Sequence, residues 1–548
     1  MAEQWMRANL ASAIYPFASE LWGRSIIVPQ YDQNFDRTIN STTDKDRDKG
    51  VPQAFYMHNC VPTNQGYQSI GYDKAVDAMA GTPTPDDFDA AFPIDTPSPD
   101  FARVIFVPAS GKNYVYDAVI GEWASVSPFA AGSVPDSVQV TTAFIHGQTY
   151  IQYANYKTLT YNPTTRVMDE VTLTGLTAAD INGLCSANGY MIAWDPTTIA
   201  WSSVVDETDF VPSLTTGAGG GSISDAKGEI ICCLPIAGGF IVYCEQNAVS
   251  ATYSGNIRFP FVFKEIPGSG GISSPEQVSW QSNLAEHYAW TTHGFQAINK
   301  SVAKDVYPEV SDFLSQKIFE DFDEAALQLI AEYLGTQLSI KLTVVEERYM
   351  IISYGKVYPN FTHALLYDIA LNRWGKFKID HRDCFEWNSP NLFGELTYDE
   401  LKGSYDDFGP YVTYDDLGTS IDSPQQVKKQ IAFLQQDGTI YIVNFDLAQT
   451  IASGVLIMGK YQFIRNRFII HEECDVENAL EGNNFDYYIF ATIDGKTLLP
   501  AVKGFLGRLS PKSRRYQRHV EGQNVSSGFI GSFNLTSFLL NFSQGGDS

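Results

Sequence analysis

The sequence is poor in charged residues, and basic residues are especially few. Only 18 % of its 548 residues are charged, and 63 acidic against 37 basic side chains give a net charge of -26. Nucleic-acid binding depends on Lys and Arg, so a chain this acidic is not expected to grip DNA. Interface cores lose charge and gain aromatic residues, which here reach 13 %. The composition predicts assembly into a larger structure, with a large all-β core rich in Tyr and Phe as the alternative.

Long apolar runs and paired cysteines are also missing. No stretch of about 18 apolar residues occurs, so we expect no membrane-spanning segment. The N-terminal residues include an early acidic side chain and no uninterrupted apolar core, so we expect no signal peptide. None of the 7 cysteines forms a C-x-x-C pair, which predicts free thiols and folding in a reducing compartment.

The sequence motifs of common enzyme classes are incomplete. Phe490 occupies the position of the first glycine of a phosphate-binding loop, and Asp475 that of the second histidine of a zinc-protease helix. The 8 histidines show no metal-ligand spacing. We therefore expect no enzymatic activity, no cofactor and no bound metal ion.

Short strands dominate the pattern that is present. Four of them are predicted at 141–145, 149–152, 158–161 and 167–171, with turn residues between them. Four antiparallel strands in about thirty residues match the size of one β-propeller blade.

A short repeat supports the interpretation as blades. An aromatic residue followed by Asp or Asn ends a strand, and a large apolar residue follows six positions after the acid or amide. The Asp or Asn side chain opens a turn, and the two large residues are predicted to pack across the resulting hairpin. Four unrelated hairpins are the alternative. The copies are Tyr116, Asp117 and Trp123; Tyr161, Asn162 and Met168; Trp194, Asp195 and Trp201; and Tyr367, Asp368 and Trp374.

The predicted fold is therefore mainly β, a β-propeller of six or seven blades with an additional C-terminal β domain. An N-terminal segment with the first strands covers 1–100, the propeller 101–450 and the C-terminal β domain 451–548. Helix-spaced apolar residues at 311–334 predict a small helical insertion near 305–335. A hairpin is predicted next, at 340–345 and 348–354.

A second insertion, near 398–418, contains three near copies of a Tyr-acid-acid sequence. Six carboxylates so close together have the chemistry to hold Ca²⁺, but the ligand spacing of the usual calcium loop is not met. The favoured interpretation is an ordered loop whose Asp residues cap turns and whose aromatic residues dock on a neighbour.

A basic run near the C-terminus inverts the charge of the chain locally. It contains no acidic residue, and it is interpreted either as a solvated loop or as an assembly contact with an acidic neighbouring subunit or with DNA. The run consists of Lys503, Arg508, Lys512, Arg514, Arg515 and Arg518.

Several segments, in this order along the chain, resemble one family: the tail nozzle, or tail hub, proteins of short-tailed bacteriophages. The resemblance covers about two thirds of the chain in pieces. The segments are NCVPTNQGYQSIGY at 59–72, WSSVVDETDF at 201–210, GEIICCLPIAGGFIVYCEQNAVSATYSG at 228–255, FKEIPGSGGISSPEQVSW at 263–280, YDDFGPYVTYDDLGTSIDSP at 405–424, and YQRHVEGQNVSSGFIGSFNLTSFLLNFSQGG at 516–546.

The resemblance implies a structural protein of the virion. It implies a six-fold ring of this chain beneath the portal and adaptor proteins, assembled in the host cytoplasm, that prolongs the DNA exit channel, retains the genome and opens during ejection. Genomic DNA would pass without specific binding, and tail fibres are further candidate partners. No catalytic residue is implied.

A different class of function is the alternative. Aromatic residues near carboxylates, as in the Tyr-Asp-Asp loop, are also a feature of carbohydrate-binding or carbohydrate-cleaving propellers such as tailspikes and lectins.

Overall fold

The structure is a computed structural model, and it describes almost entirely β-strands. The described residues are 3–9, 26–28, 54–64, 66–77, 90–93, 104–107, 114–117, 122–125, 139–162, 167–279, 285–307, 310–311, 314, 318–323, 328–333, 338–389, 428–445, 454–458, 461–463, 469–478, 484–492, 502–503, 517–519 and 524–544. Within these ranges, no helix has the length and apolar content needed to cross a membrane.

The N-terminal strands do not form a sheet of their own but join sheets made by later parts of the chain. They are β1 (Glu3–Asn9), β2 (Ile26–Val28), β3 (Ala54–His58), β4 (Cys60–Pro62), β5 (Tyr67–Ser69) and β6 (Gly71–Val76).

Five consecutive four-stranded antiparallel sheets follow, each in chain order. Their regular meander is the pattern of propeller blades. Blade 1 contains β7 (Ala90–Pro93), β8 (Val104–Val107), β9 (Tyr114–Asp117) and β10 (Glu122–Ser125). Blade 2 contains β11 (Val140–Ile145), β12 (Gln148–Tyr153), β13 (Thr158–Asn162) and β14 (Val167–Val171), so its predicted strands are confirmed.

Blades 3 to 5 repeat the arrangement, with 3₁₀ turns at Ala178–Asp180 and Pro275–Gln277 before blades 3 and 5. Blade 3 contains β15 (Gly183–Ala187), β16 (Tyr190–Trp194), β17 (Thr198–Trp201) and β18 (Gly219–Ser222). Blade 4 contains β19 (Ile230–Ile236), β20 (Gly239–Cys244), β21 (Ala248–Tyr253) and β22 (Phe261–Glu265). Blade 5 contains β23 (Val278–Ser279), β24 (His287–Thr291), β25 (Gly294–Ile298) and β26 (Ala303–Asp305).

The predicted helical insertion is wrong for most of its length. Helical residues in this segment are described only at 310, 311 and 314. The remainder forms a hairpin of β27 (Ile318–Asp323) and β28 (Gln328–Tyr333). The spacing of a short apolar run is compatible with a helix and with a strand. Here Ile318 lies opposite Tyr333 and Phe322 opposite Leu329, and such cross-strand pairs stabilise the hairpin.

Two further sheets complete the propeller. Blade 6 contains β29 (Ser339–Val345), β30 (Tyr349–Gly355), β31 (Phe361–Asp368) and β32 (Arg373–His381). The predicted hairpin is confirmed as β29–β30, and both residues of its turn, Glu346 and Glu347, have positive φ angles, as a type I′ turn requires. Blade 7 combines β33 (Asp383–Ser389), β34 (Lys428–Leu434) and β35 (Ile440–Asn444) with the N-terminal strand β6.

Most neighbouring sheets are in contact around a ring. The first strands of neighbouring blades are in contact at β11–β15, β15–β19, β23–β29 and β29–β33, and the β33–β7 contact brings the last blade against the first. Strand β6 pairs antiparallel with β35 and so joins the two ends of the propeller chain through main-chain hydrogen bonds. The described chain is therefore a seven-bladed β-propeller, which confirms the predicted fold class.

The remaining strands extend the structure outward from blade 6. Strand β32 pairs with β4, and the same sheet continues through β5 to strands near the C-terminus. A second sheet, of seven strands, has the order β2-β37-β42-β36-β3, with β39 and β40 beside β42. The C-terminal strands are β36 (Gly454–Met458), β37 (Tyr461–Phe463), β38 (Ile469–Asn478), β39 (Asn484–Thr492), β40 (Val502–Lys503), β41 (Gln517–His519), β42 (Asn524–Ser532) and β43 (Asn534–Gln544).

Strands from both ends of the chain are thus mixed in these outer sheets. Strand β3 pairs with β36, and β43 pairs with β1 and β5. The division of the chain at residues 100 and 450 stays a prediction. The packed interior contains the six described cysteines, all of them free and buried, so these thiols act as small apolar residues of the core.

Candidate interaction surface

The blade repeat forms hairpins, and three of its four copies have the predicted register. In each of these, the aromatic residue lies directly opposite the large apolar residue seven positions later. The confirmed pairs are Tyr116 with Trp123, Tyr161 with Met168, and Tyr367 with Trp374.

In the last copy of the repeat, Tyr367 to Trp374, the acidic turn residue Asp368 is buried and forms an ion pair. Asp368 accepts bonds from Arg348 Nη2 at 2.7 Å and Arg348 Nε at 3.0 Å, and its other oxygen accepts the Leu371 N–H. The hydrogen bond to the Asp368 carboxylate is the largest cause of the raised pKa of Arg348. Trp374 is buried, whereas the side chain of Trp123 lies outside the described residues.

The third copy has a shifted register, so the predicted pairing of Trp194 with Trp201 is wrong. Trp194 lies opposite Ile199 instead. The reason is Asp195, whose Oδ1 accepts the backbone N–H groups of residues 197 and 198 at 2.7 Å. These bonds draw Asp195 out of the strand and into the turn, so the hairpin closes one residue earlier on this side.

Trp201 faces the next blade. Its ring is half-buried and packs edge-on against Phe261 of blade 4, with ring centroids 5.8 Å apart. Its indole N–H donates to the Gly217 carbonyl at 2.8 Å. Trp201 is the last residue of β17 and Gly217 lies just before β18, so this bond joins the two ends of the loop between these strands.

Two neighbouring loops carry large apolar side chains into solvent. One loop, residues 202–218, joins β17 to β18 of blade 3, and the other, residues 254–260, joins β21 to β22 of blade 4. They meet at Gly217, where a Cβ atom would lie 2.8 Å from the Ile257 carbonyl oxygen. We call this the blade 3–4 apolar surface, and its exposed side chains are Val204, Val205, Val211, Leu214, Ile257 and Phe259.

Hydrogen bonds hold the first loop in place despite its exposed side chains. The loop pairs with Thr174, which accepts the Phe210 N–H at 2.8 Å and donates to the Thr208 carbonyl at 2.8 Å. Phe210 itself is buried, which leaves Val211 and Leu214 on the outer side. Leu214 is 67 % exposed and Phe259 on the second loop is 69 % exposed. The exposed side chains of the first loop therefore stand on a hydrogen-bonded backbone.

A polar clamp joins the same loop to blade 2. Glu207 accepts hydrogen bonds from His146 at 2.9 Å and from Tyr150 at 2.9 Å. Burial opposes ionisation of Glu207, but the bonds from His146, the backbone and Tyr150 together lower its pKa. The pKa of Tyr150 is raised, mainly by burial and in second place by its hydrogen bond to the Glu207 carboxylate. The clamp thus keeps an ionised carboxylate at the border of the apolar surface.

The acidic Tyr-Asp-Asp loop and the basic run, which the sequence predicts as sites, lie mostly outside the described residues. The Tyr-Asp-Asp loop at 398–418 is wholly outside. In the basic run, Lys503 ends β40 and Arg518 lies in β41, while Arg508, Lys512, Arg514 and Arg515 are outside the described ranges, and no side-chain position is described for any of the six. Its role as an assembly contact stays a prediction. Within the described part of the chain, no three His, Cys, Asp or Glu residues are grouped as metal ligands.

Sequence reasoning missed the blade 3–4 apolar surface. A signal existed in residues 255–260, where Ile257 and Phe259 stand inside a turn marked by Gly, Asn and Pro. Apolar residues in a turn have no core face to occupy, so they indicate an exposed contact.

Known proteins align with this chain at low sequence identity and low structural similarity. No protein-family model and no curated protein matches the chain. The WD40 β-propeller domain of Doa1 aligns with a TM-score of 0.38 at 9 % identity, over 69 % of this chain and 98 % of that one. The computationally designed Ika8 protein aligns with a TM-score of 0.37 at 9 % identity, over 68 % of this chain and 99 % of that one.

Proposed function

We propose that this protein is a structural component of a short-tailed phage tail, a nozzle or hub that assembles into a homohexameric ring below the portal and adaptor. The ring prolongs the DNA exit channel, retains the genome and gates its ejection. The observation that carries the proposal is the blade 3–4 apolar surface, because large apolar side chains exposed on two touching loops indicate a contact with another protein. The family resemblance of six sequence segments supplies the setting, the virion.

A second copy of the chain is the occupant that we propose for this surface. Arg258 is exposed beside Phe259 on one loop, and Asp206 is exposed beside Val205 on the other. Hydrogen bonds from the Thr208 hydroxyl and backbone lower the pKa of Asp206 and keep it charged. In a ring, this surface would contact a different face of the neighbouring copy, because head-to-tail contacts are the kind that close rings.

The overall charge supports the conduit role. A net charge of -26 repels the phosphate backbone, so DNA slides past such a wall without adhering. The portal and adaptor proteins above the ring, and tail fibres beside it, are the partners that this role requires.

The experiment combines solution mass with imaging of particles. Wild-type protein is expected to form rings by light scattering and negative-stain microscopy, and antibody against it is expected to label the tails of phage particles. Leu214→Ser with Phe259→Ser is expected to leave a folded monomer. Val357→Ser is the matched control, because Val357 is equally exposed but lies on blade 6.

Two results would contradict the proposal at different levels. Rings formed equally well by the double variant would exclude the blade 3–4 apolar surface as the contact. A protein that stays monomeric at every concentration, or particles whose tails are not labelled, would exclude the nozzle itself.

A further inference from the structure

The outer edge of blade 3 is formed by β18, with no further strand beside it among the described residues. Thr198 of the neighbouring strand β17 shows which main-chain groups point outward. Its N–H donates to Asp195 Oδ1 at 2.7 Å and its carbonyl accepts the Asp195 N–H at 3.0 Å, so Thr198 faces away from β18. The two strands are antiparallel with Thr198 opposite Ser222, and such pairs alternate between hydrogen-bonded and open. Ser222 therefore turns its own N–H and carbonyl outward.

Gly220, two residues earlier in β18, faces outward for the same reason. Both residues are exposed, and no hydrogen bond joins their outward groups to another part of the described chain. The outward carbonyl before them is already used, because that of Ala218 accepts the Ser213 N–H of the 202–218 loop at 2.9 Å. The edge of β18 thus offers two N–H and two carbonyl groups with the spacing of a β-ladder.

Charged side chains protect the other outer strands, but not β18. Natural sheets commonly place charges on an exposed edge, which hinders pairing with another chain. The sequence of β18 is Gly-Gly-Gly-Ser, and among the described outer strands of the seven blades it alone has no charged residue. The charged residues of the other six are Glu122 in β10; Asp169 and Glu170 in β14; Lys264 and Glu265 in β22; Lys304 and Asp305 in β26; Arg373, Lys376, Lys378 and Asp380 in β32; and Asp73 and Lys74 in β6.

The chain itself already extends one blade by an added strand. In blade 6, β4 lies beside the outer strand β32, with Cys60 opposite Lys376. The approach is so close that a Cβ atom on Gly375 of β32 would lie 2.6 Å from the Cys60 carbonyl oxygen. Strand addition at an outer strand is therefore part of this fold, and the edge of blade 3 is open to the same kind of pairing.

A second copy of this chain suits the edge of β18 by charge and by position. Two copies with a net charge of -26 each repel one another, so a contact between them favours uncharged surface. Residues 211–224 contain no charged side chain, and they include both Leu214 of the blade 3–4 apolar surface and the outward groups of β18. The two features are also joined, because β18 begins two residues after Gly217, where the two loops of that surface meet.

We propose that β18 accepts an extended segment of the neighbouring copy as a fifth strand of blade 3. This inference rests on the proposed ring and adds a main-chain contact to it, which sets the direction of the neighbour more strictly than apolar side chains do. The added strand comes from a different face of the neighbour, as a head-to-tail contact requires. Main-chain hydrogen bonds hold a partner in this mode of binding, and Gly220 and Ser222 supply four of them.

Hydrogen–deuterium exchange followed by mass spectrometry tests the pairing in the full-length wild-type protein. Rings at high concentration are compared with monomers obtained by dilution. The amide hydrogens of Gly220 and Ser222 are expected to exchange about tenfold more slowly in the ring, because they become hydrogen-bonded there. Peptides of β26, the outer strand of blade 5, are the control and are expected to exchange alike in both states.

Variants at residue 222 separate the main chain from the side chain. Ser222→Pro removes the outward N–H but no hydrogen bond to β17, and it is expected to weaken assembly about tenfold, measured by light scattering. Ser222→Ala keeps this N–H and is the matched control, expected to assemble like wild type. Where the proline variant fails to fold, the exchange measurement on wild type still decides.

The outcomes distinguish this contact from the ring itself. Rings in which residues 219–223 exchange as fast as in the monomer would exclude the added strand and leave the ring standing. A folded Ser222→Pro variant that assembles like Ser222→Ala would do the same. Slower exchange that appears only when a different protein of the particle is added would overturn the second copy as the occupant. A wild-type protein that never assembles would overturn the nozzle and this contact together.

Discussion

The two ends of blade 4 differ in character although they are joined by the same strands. At one end, Ile257 and Phe259 stand in solvent next to the exposed apolar residues of blade 3. At the other end, Glu245, Gln277 and Trp290 border a polar cleft shared with blade 5. The strands fix only the position of each loop, while the loop residues decide what each end contacts.

The difference has a physical cause in how each end is closed. The apolar end is closed over Gly217, which has a positive φ angle and lets two loops touch. The polar end is closed over Gly271, where the backbone of the β20–β21 turn passes directly against the chain leading to blade 5. One end thus carries exposed apolar side chains, and the other borders an open cleft.

The largest effect is expected at the closely packed end. A Cβ atom at Gly271 would lie 1.9 Å from the Glu245 carbonyl oxygen, so Gly271→Ala must displace backbone. We expect a loss of about 3 kcal/mol in the free energy of unfolding, measured by urea denaturation. Gly255→Ala, in the loop at the other end, meets no atom within 4 Å and is expected to cost about 1 kcal/mol through its positive φ angle alone. An equal loss in the free energy of unfolding for the two variants would contradict the closer packing at Gly271.

The pH dependence of stability is expected to come from buried histidines, of which His287 lies between blades 4 and 5. His287 accepts from the Tyr243 hydroxyl at 2.9 Å and donates to the Pro235 carbonyl at 2.9 Å. Burial lowers its pKa to about 4, against an ordinary value of 6.5. Between these values only the unfolded chain takes up the proton, so this stability is complete above pH 6.5 and falls as the pH drops toward 4.

The expected size is about 2 kcal/mol between pH 7 and pH 5. Urea denaturation of wild type and of His287→Gln at both pH values measures it, and the variant is expected to lack this part of the dependence. His381, which is also buried and whose pKa burial lowers to about 4, remains in the variant and contributes a similar slope. An unchanged pH dependence in His287→Gln would contradict the assignment.

A smaller effect separates the two tryptophans. Trp201→Phe removes the 2.8 Å bond to the Gly217 carbonyl at the apolar end and is expected to cost about 1 kcal/mol. Trp290→Phe removes an N–H for which no hydrogen bond is described, so its cost is expected to come only from lost ring packing and to be smaller. The reverse order of the two melting temperatures would be inconsistent with the hydrogen bonds described.

The smallest effect on stability is expected from the surface variants. Leu214→Ser and Phe259→Ser remove exposed side chains, so each is expected to change the free energy of unfolding by less than about 0.5 kcal/mol. Urea denaturation at dilute protein concentration measures this. A large loss would mean that these side chains support the fold, and their effect on ring formation would then have no bearing on the contact.

Local patterns predicted the fold better than they predicted either end of blade 4. The strands of blade 2 were placed to within a residue because each of its turns has local sequence markers, such as Gly147 and Asn155, both with positive φ angles. The register around Trp201 was missed because the repeat does not reveal whether Asp195 ends the strand or begins the turn. The hairpin at 318–333 was missed because apolar spacing alone does not separate a short helix from paired strands.

Features that depend on distant segments had no sequence signal. The cleft draws on β19, the β20–β21 turn, the Pro275–Gln277 turn and the end of β24. Each piece is unremarkable by itself, and only the packing of blade 4 against blade 5 brings Glu245 and Trp290 to the same space.

The closure of the ring by β6 dictates the order in which the protein can mature. Residues 71–76 leave the ribosome early, but their partners at 440–444 follow more than 360 residues later. Until then, β6 is an unpaired edge that any other nascent chain can extend. Blade 7 is consequently the last to be completed, and such a long-range pairing makes folding slow.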